Sequence, residues 1–231
     1  FNKGLRNIVS RDHLESLATT VELEMNRRDA RKRQRELESE LRRQANHDSL
    51  TDLPNRRLFF DRLSQGLKRA RRQRGRLSLL FIDLDNFKAI NDNRGHAFGD
   101  ALLQEVARRL ESTIRESDTA ARLGGDEFAV ILDGVVEDGD AASAVAQKIR
   151  DSLSRPFQLA GGPHEVSASI GAATYPTDGE DVDTLLSFAD ASMYRQKKNA
   201  FRGRSRNQGE GEKADVSMPG IASLIPGRFR S

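Results

Sequence analysis

Three carboxylates in this chain of 231 residues stand where a charge is costly unless it binds something. Asp83 sits near the carboxyl end of LSLLFIDL, Leu77 to Leu84, a run apolar enough to be a strand buried on both faces. Open α/β sheets place their ligands at that end of a strand. Asp126 and Glu127 follow Gly124 and Gly125, which separate a short apolar stretch ending near Leu123 from FAVIL, Phe128 to Leu132. Two glycines between apolar runs predict a hairpin. Where that hairpin adjoins the Asp83 strand, the three carboxylates converge and repel one another unless a divalent cation neutralises them. Oxygen-only donors select magnesium or manganese over zinc, and with Cys 0 the chain has no thiolate to offer. On their own, Asp126 and Glu127 are ordinary turn residues; Asp83 turns the balance toward a metal site.

The neighbours of this trio suit a nucleotide. Lys88, shortly after Asp83, is within reach of a triphosphate held by such a metal, and Gly124 and Gly125 let the backbone approach phosphates with no Cβ in the way. Asn91 offers an amide with both donor and acceptor. Asp100 offers a carboxylate that accepts from both N1–H and N2–H of guanine, a donor pair that adenine lacks. Directly before ALLQEV, Asp100 is equally well placed as a helix N-cap.

Holding these groups together requires a sheet with helices around it. Leu58, Phe59, Leu63 and Leu67 predict a helix before the Asp83 strand, closing in the basic run Lys68 to Arg76; Leu102, Leu103, Val106, Leu110 and Ile114 predict one after it. Beyond the hairpin come a helix from Asp140 to Leu153, a strand from Val166 to Thr174, and a last helix carrying Val182, Leu185, Leu186, Ala189 and Met193. Helices alternate with strands yet one hairpin is tight. The expected fold is therefore α/β (α+β), a mixed central sheet flanked by helices. Residues 1–47 read as a long N-terminal helix with one apolar stripe at Leu14, Leu17 and Val21 and another at Leu37 and Leu41. Such a helix cannot bury itself, so we expect a signalling stalk that is also a coiled-coil dimer contact. Residues 48–202 form the expected catalytic domain, and from Gly203 the glycines, charges and lack of periodicity predict a loose tail over 203–231.

Thirty-eight Lys and Arg against 35 Asp and Glu leave a net charge of +3, which excludes a uniformly basic polyanion binder and an acidic solvating tail. The basic stretches Lys68 to Arg76 and Arg202 to Arg206 lack aromatic interleaving, so we expect solvated loops and no nucleic-acid partner. No apolar run approaches the roughly 20 residues of a membrane span, and no signal peptide is visible. The expectation is a cytoplasmic location with no membrane contact by this stretch. A start at Phe1 rather than Met suggests a piece of a longer chain, with room for a membrane anchor upstream.

Four motifs in order carry a family resemblance: DSLTDLPNRR (Asp48 to Arg57), FIDLDNFKAINDNRGHAFGD (Phe81 to Asp100), RLGGDEF (Arg122 to Phe128) and SIGAATYP (Ser169 to Pro176). Together they resemble the GGDEF family of diguanylate cyclases. The resemblance implies a palm-type fold akin to nucleotide cyclases and polymerases, and condensation of two GTP into cyclic di-GMP with release of two pyrophosphates. It implies that Asp83 and Asp126, with the Leu84 carbonyl, ligate two magnesium (or manganese) ions per site, and that Glu127 is a further ligand or the base for the attacking 3′-hydroxyl. Asn91 and Asp100 would read guanine, and Lys88 and Lys197 would hold phosphates. Each half-site takes one GTP, so the implied enzyme is a homodimer working by two-metal phosphoryl transfer. Arg115 and Asp118, in RESD just upstream of the hairpin, match the family's RxxD inhibitory site and suit cyclic di-GMP itself. The chain departs from the family where an arginine is expected after Lys197: Phe201 stands there, with Arg202 and Arg204 nearby. The alternative within the same resemblance is an inactive GGDEF domain that serves as a GTP or cyclic di-GMP receptor.

Overall fold

The computed structural model describes residues 11–135 and 141–207. The chain divides into two compact units at Ala45/Asn46. In the first, the expected helix is α1 (Arg11–Asn46). Leu23, Met25, Leu37 and Leu41 are all exposed on it, as its sparse apolar stripes require. Between Glu24 and Gln44, short-range pairs such as Arg27 with Glu24 and Gln44 with Glu40 support it.

The second unit contains α2 (Arg56–Gln73), β1 (Arg76–Leu84), α3 (Phe87–Arg94), α4 (His96–Thr113), β2 (Thr119–Gly124), β3 (Glu127–Val135), α5 (Ala141–Ser154), β4 (Phe157–Leu159), β5 (Gly162–His164), β6 (Ala168–Tyr175) and α6 (Val182–Asn207). The main sheet has the order β2-β3-β1-β6. The α/β class with flanking helices is as expected, but every ladder in this sheet is antiparallel rather than mixed. The reason is topological. The helical crossovers do join parallel strands, β1 to β2 through α3 and α4 and β3 to β6 through α5, but each skips one place, and the skipped place is filled by an antiparallel strand. This is the split βαβ arrangement.

Alternation along the strands then separates two cores. Leu80, Ile82 and Leu84 of β1 join Phe128, Val130 and Leu132 of β3 against α4 and α5. Leu77, Leu79 and Phe81, with Ala129 and Ile131, face α2 and α6. A strand with both faces covered can be apolar at nearly every position, which is why β1 reads as it does. The one buried hydroxyl on it, Ser78 Oγ, is paired with Thr174 Oγ1 at 2.9 Å.

Local signals set the boundaries. Asn55 caps α2, its Oδ1 accepting from the Leu58 N–H at 3.1 Å. Gly95, at φ 84, separates α3 from α4 where the sequence suggested one helix. Because α4 starts at His96, Asp100 lies inside the helix and is not its N-cap. The small β4–β5 hairpin was not expected; strands of three residues carry no periodicity to detect. α6 continues to Asn207, past Gly203 and into the stretch read as a loose tail; residues 208–231 lie outside the described residues.

Candidate active site

β1 brings Asp83 to the open end of the sheet, and the register with β3 places it directly opposite Glu127. Asp126 occupies the turn between β2 and β3, and its carbonyl accepts from the Leu84 N–H at 3.4 Å. Gly124 and Gly125 hold φ of 148 and 51, which L side chains rarely adopt. An added Cβ on either would meet nothing within 4 Å. The glycines are therefore required by the backbone angle, and the space above them is open to a ligand. Asp83, Leu84, Gly124, Gly125, Asp126 and Glu127 thus lie at one end of the sheet, linked by the Asp83–Glu127 register and the Leu84–Asp126 backbone bond.

Burial dominates the electrostatics of these carboxylates, and Asp83 and Glu127 feel the charge of neighbouring acids as well. Burial, then the fields of Asp83, Asp126 and Asp190, push Glu127 up to about 7. Burial likewise raises Asp83 and Asp126. Lys197, carried on α6, donates from Nζ to Asp83 Oδ1 at 2.5 Å. Burial works against the ammonium, but Asp83, Asp85 and Asp126 outweigh it and its pKa rises. The same contact fails to bring Asp83 back to its usual range, since the cost of burying the carboxylate exceeds what one partly exposed ammonium returns. α6 reaches this position because β6 has no side chain at Gly171, where a Cβ would lie 2.0 Å from the Ala189 carbonyl oxygen.

These donors fit a hard divalent cation in their chemistry: they are oxygen-only, they lie at one end of β1 and β3, and burial raises each of the three carboxylates. Among the described residues no three acidic or histidine side chains are drawn together as ligands, and Asp83 is held by Lys197 instead.

A family model described as diguanylate cyclase, GGDEF domain, matches residues 45–203. The chain belongs to the GGDEF family of diguanylate cyclases. It is 47% identical over 164 residues to the bifunctional diguanylate cyclase/cyclic di-GMP phosphodiesterase MucR of Pseudomonas aeruginosa, covering 71% of this chain and 24% of that protein. It is also 47% identical over 167 residues to the diguanylate cyclase TpbB of the same organism, covering 72% of this chain and 38% of the relative. It therefore spans well under half the length of these curated relatives. Among solved structures, the GGDEF domain of TpbB matches with a TM-score of 0.64 at 46% identity, over 66% of this chain and 89% of that one. The coiled coil and GGDEF domain of DgcB from Caulobacter crescentus, solved in complex with c-di-GMP, matches with a TM-score of 0.68 at 28% identity, over 78% and 95%.

In this GGDEF domain the remaining predicted residues fall outside the acid cluster. Lys88 and Asn91 lie on α3 and Asp100 on α4, with Lys88 and Asp100 exposed. Arg115 and Asp118 form the turn before β2. Asp118 Oδ2 accepts from the Arg115 N–H at 3.1 Å, and Oδ1 from the Asp133 N–H at 3.4 Å. β2 is 6 residues long, so this turn lies about 20 Å from the GGDEF turn at its other end. Arg202 and Arg204 are on α6, with side chains outside the described set.

One pair beside the GGDEF turn went unread although its motifs were in view. Arg122 Nη1 donates to Asp48 Oδ1 at 2.9 Å, and its Nε and Nη2 donate to the Gly125 carbonyl at 3.0 and 2.8 Å. Thr51 also donates to Asp48, from its N–H and its hydroxyl. Burial tends to raise Asp48, but these hydrogen bonds prevail and lower it. DSLTDLPN is therefore the stay that fixes the GGDEF turn from behind. Asp85 was also missed: it accepts from the hydroxyls of Ser167 at 2.6 Å and Ser169 at 2.8 Å.

Proposed function

We propose that this chain is an active diguanylate cyclase that condenses two GTP into cyclic di-GMP and two pyrophosphates. The observation that carries the proposal is the meeting of Asp83, Asp126 and Glu127 across β1 and β3 beside a glycine turn that leaves room above it. Asn91 and Asp100 read the guanine edge, while Lys88 and Lys197 hold phosphates. Glu127, opposite Asp83 across the β1–β3 register, is a further metal ligand or the base for the 3′-hydroxyl. Divalent cations, magnesium or manganese, supply two things when bound: a lower pKa at the attacking hydroxyl and compensation of charge on the leaving pyrophosphate. Asp83, Asp126, the Leu84 carbonyl and Glu127 are the groups that would hold them. Lys197 then exchanges its contact with Asp83 for a phosphate.

One protomer presents one GTP, so the reaction takes place across a homodimer. The exposed Leu23, Met25, Leu37 and Leu41 of α1 support residues 1–47 as its coiled-coil stalk. Residues 48–202 are the catalytic domain. Product binding at Arg115 and Asp118 restrains the enzyme, with the exposed Arg115 taking the guanine O6 and N7 or a phosphate. Incubation with GTP and magnesium, followed by chromatography, tests the proposal directly. Cyclic di-GMP is the expected product; GTP binding without product from a confirmed dimer would mean a receptor instead.

A further inference from the structure

Behind the GGDEF turn, between the start of α2 and the end of β2, lies a cleft of about 540 Å³, a size usual for small-molecule sites. Arg56, Arg57 and Arg122 line it, and among the described residues of its walls Asp48 is the one acid. That acid is taken up by Arg122, 2.9 Å away. Arg57 donates to a neutral group, the Asn46 Oδ1 at 2.7 Å, which orients the guanidinium without cancelling its charge. Arg56 stands with its Cζ 6.0 Å from the centroid of the Phe60 ring, and that ring is part of the wall. The cleft thus carries more positive charge than its own carboxylate offsets.

Its two sides are fastened to each other. The Arg122 N–H donates to the Pro54 carbonyl at 3.0 Å, and Asn55 and Arg122 form a short parallel bridge. At the rim, a Cβ on Gly124 would meet nothing within 4 Å, so the approach is open. We propose that this cleft binds an oligophosphate, free or carried by a nucleoside. A guanidinium presents a planar fork of N–H donors that matches phosphate oxygens, and walls already in place spare much of the ordering cost of binding. The phosphates supply the negative charge that the walls lack, and the Phe60 ring offers an attached nucleoside an apolar surface. Lys88, Lys197, Arg115 and Asp118 do not line this cleft, so the proposal is independent of both the catalytic and the inhibitory readings. An occupant meets the same Arg122 side chain that holds the Gly125 carbonyl, which couples the cleft to the GGDEF turn.

The test is a calorimetric titration of pyrophosphate into the whole chain, at low salt and without divalent cations. Arg56→Gln with Arg57→Gln removes charge from the cleft, Lys88→Ala with Lys197→Ala removes the proposed substrate contacts, and Arg115→Ala removes the proposed inhibitory one. Loss of charge-assisted hydrogen bonds predicts binding weaker by about tenfold or more in the arginine pair, and binding that persists in the other two variants. Unchanged affinity in the arginine pair, loss of binding in the lysine pair, or no binding by the wild type would overturn the proposal. In the lysine pair, GTP binding more tightly than pyrophosphate supports a nucleotide as the carrier, and pyrophosphate binding at least as tightly supports the free anion. Guanosine binding as well as GTP rejects phosphate recognition. Where the arginine pair does not fold, modification of the wild type by phenylglyoxal decides: pyrophosphate is expected to shield Arg56 and Arg57 in peptide mass mapping, and equal modification with and without it rejects the site. A chain that binds pyrophosphate here yet makes no cyclic di-GMP loses the cyclase reading and keeps this one.

Discussion

The two sides of the GGDEF turn carry charges in opposite conditions. Behind it, Arg122 spends its donors on Asp48 and the Gly125 carbonyl, and Asp48 is a lowered, contented carboxylate. In front, Asp83, Asp126 and Glu127 are all raised, with Lys197 as a partial answer. The rear pair is completed by the protein and so contributes to stability. The front cluster keeps its raised carboxylates at some loss of stability, and on the proposed reading it is the bound cation and nucleotide that complete it. A single turn is thus fixed from one side and charged from the other.

The sharpest way to break this contrast is to neutralise the front. Asp126→Asn keeps the shape and removes a charge. Cyclic di-GMP formation is expected to fall on the order of a thousandfold, while the melting temperature without divalent cations rises because repulsion is relieved. A lower melting temperature would show that Asp126 belongs with the stabilising charges after all. Neutralising the rear has the reverse sign. Arg122→Ala leaves a partly buried Asp48 and the Gly125 carbonyl without their donor, a loss of about 1–3 kcal/mol, read as an earlier urea midpoint. Turnover falls with it as the turn loosens.

The pH dependence separates the sides more gently. Glu127 ordinarily titrates near 4.5 and is raised to about 7, so between those values the folded state holds a proton that the unfolded state has released. The slope of unfolding free energy with pH is then negative. Cation-free protein is expected to lose stability as pH rises from about 4.5 to about 7, and a saturating divalent cation removes that loss. Asp48, lowered, contributes in the opposite sense: its stabilisation is present above the ordinary aspartate range and lost as pH falls below it. Thermal melts across pH, with and without magnesium, read both. The smallest effect is expected at the far end of β2. Arg115→Ala, at an exposed position, changes stability by less than about 0.5 kcal/mol and leaves initial turnover intact, yet removes inhibition by added cyclic di-GMP.

Much of the front was legible in the residues. An acid ending a doubly buried apolar run and two acids after a double glycine are each local anomalies, and anomalies in a one-dimensional pattern mark sites. The rear was not legible, because Asp48 and Arg122 are 74 positions apart and each looks like an ordinary surface charge in its own neighbourhood.

The fold divides along similar lines. Apolar periodicity by itself determined that β1 is covered on both faces, that helices surround it, and that Leu23, Met25, Leu37 and Leu41 of α1 stand exposed, since burial must match composition wherever the chain goes. Pairing direction was decided only in three dimensions. Local sequence records that a helix separates β1 from β2; it does not record that β3 takes the place between them, which makes the sheet antiparallel and sets Glu127 opposite Asp83. Charge balance was decided there too. A carboxylate's state depends on what stands within a few ångströms, and for Asp83 that is Lys197, 114 positions away.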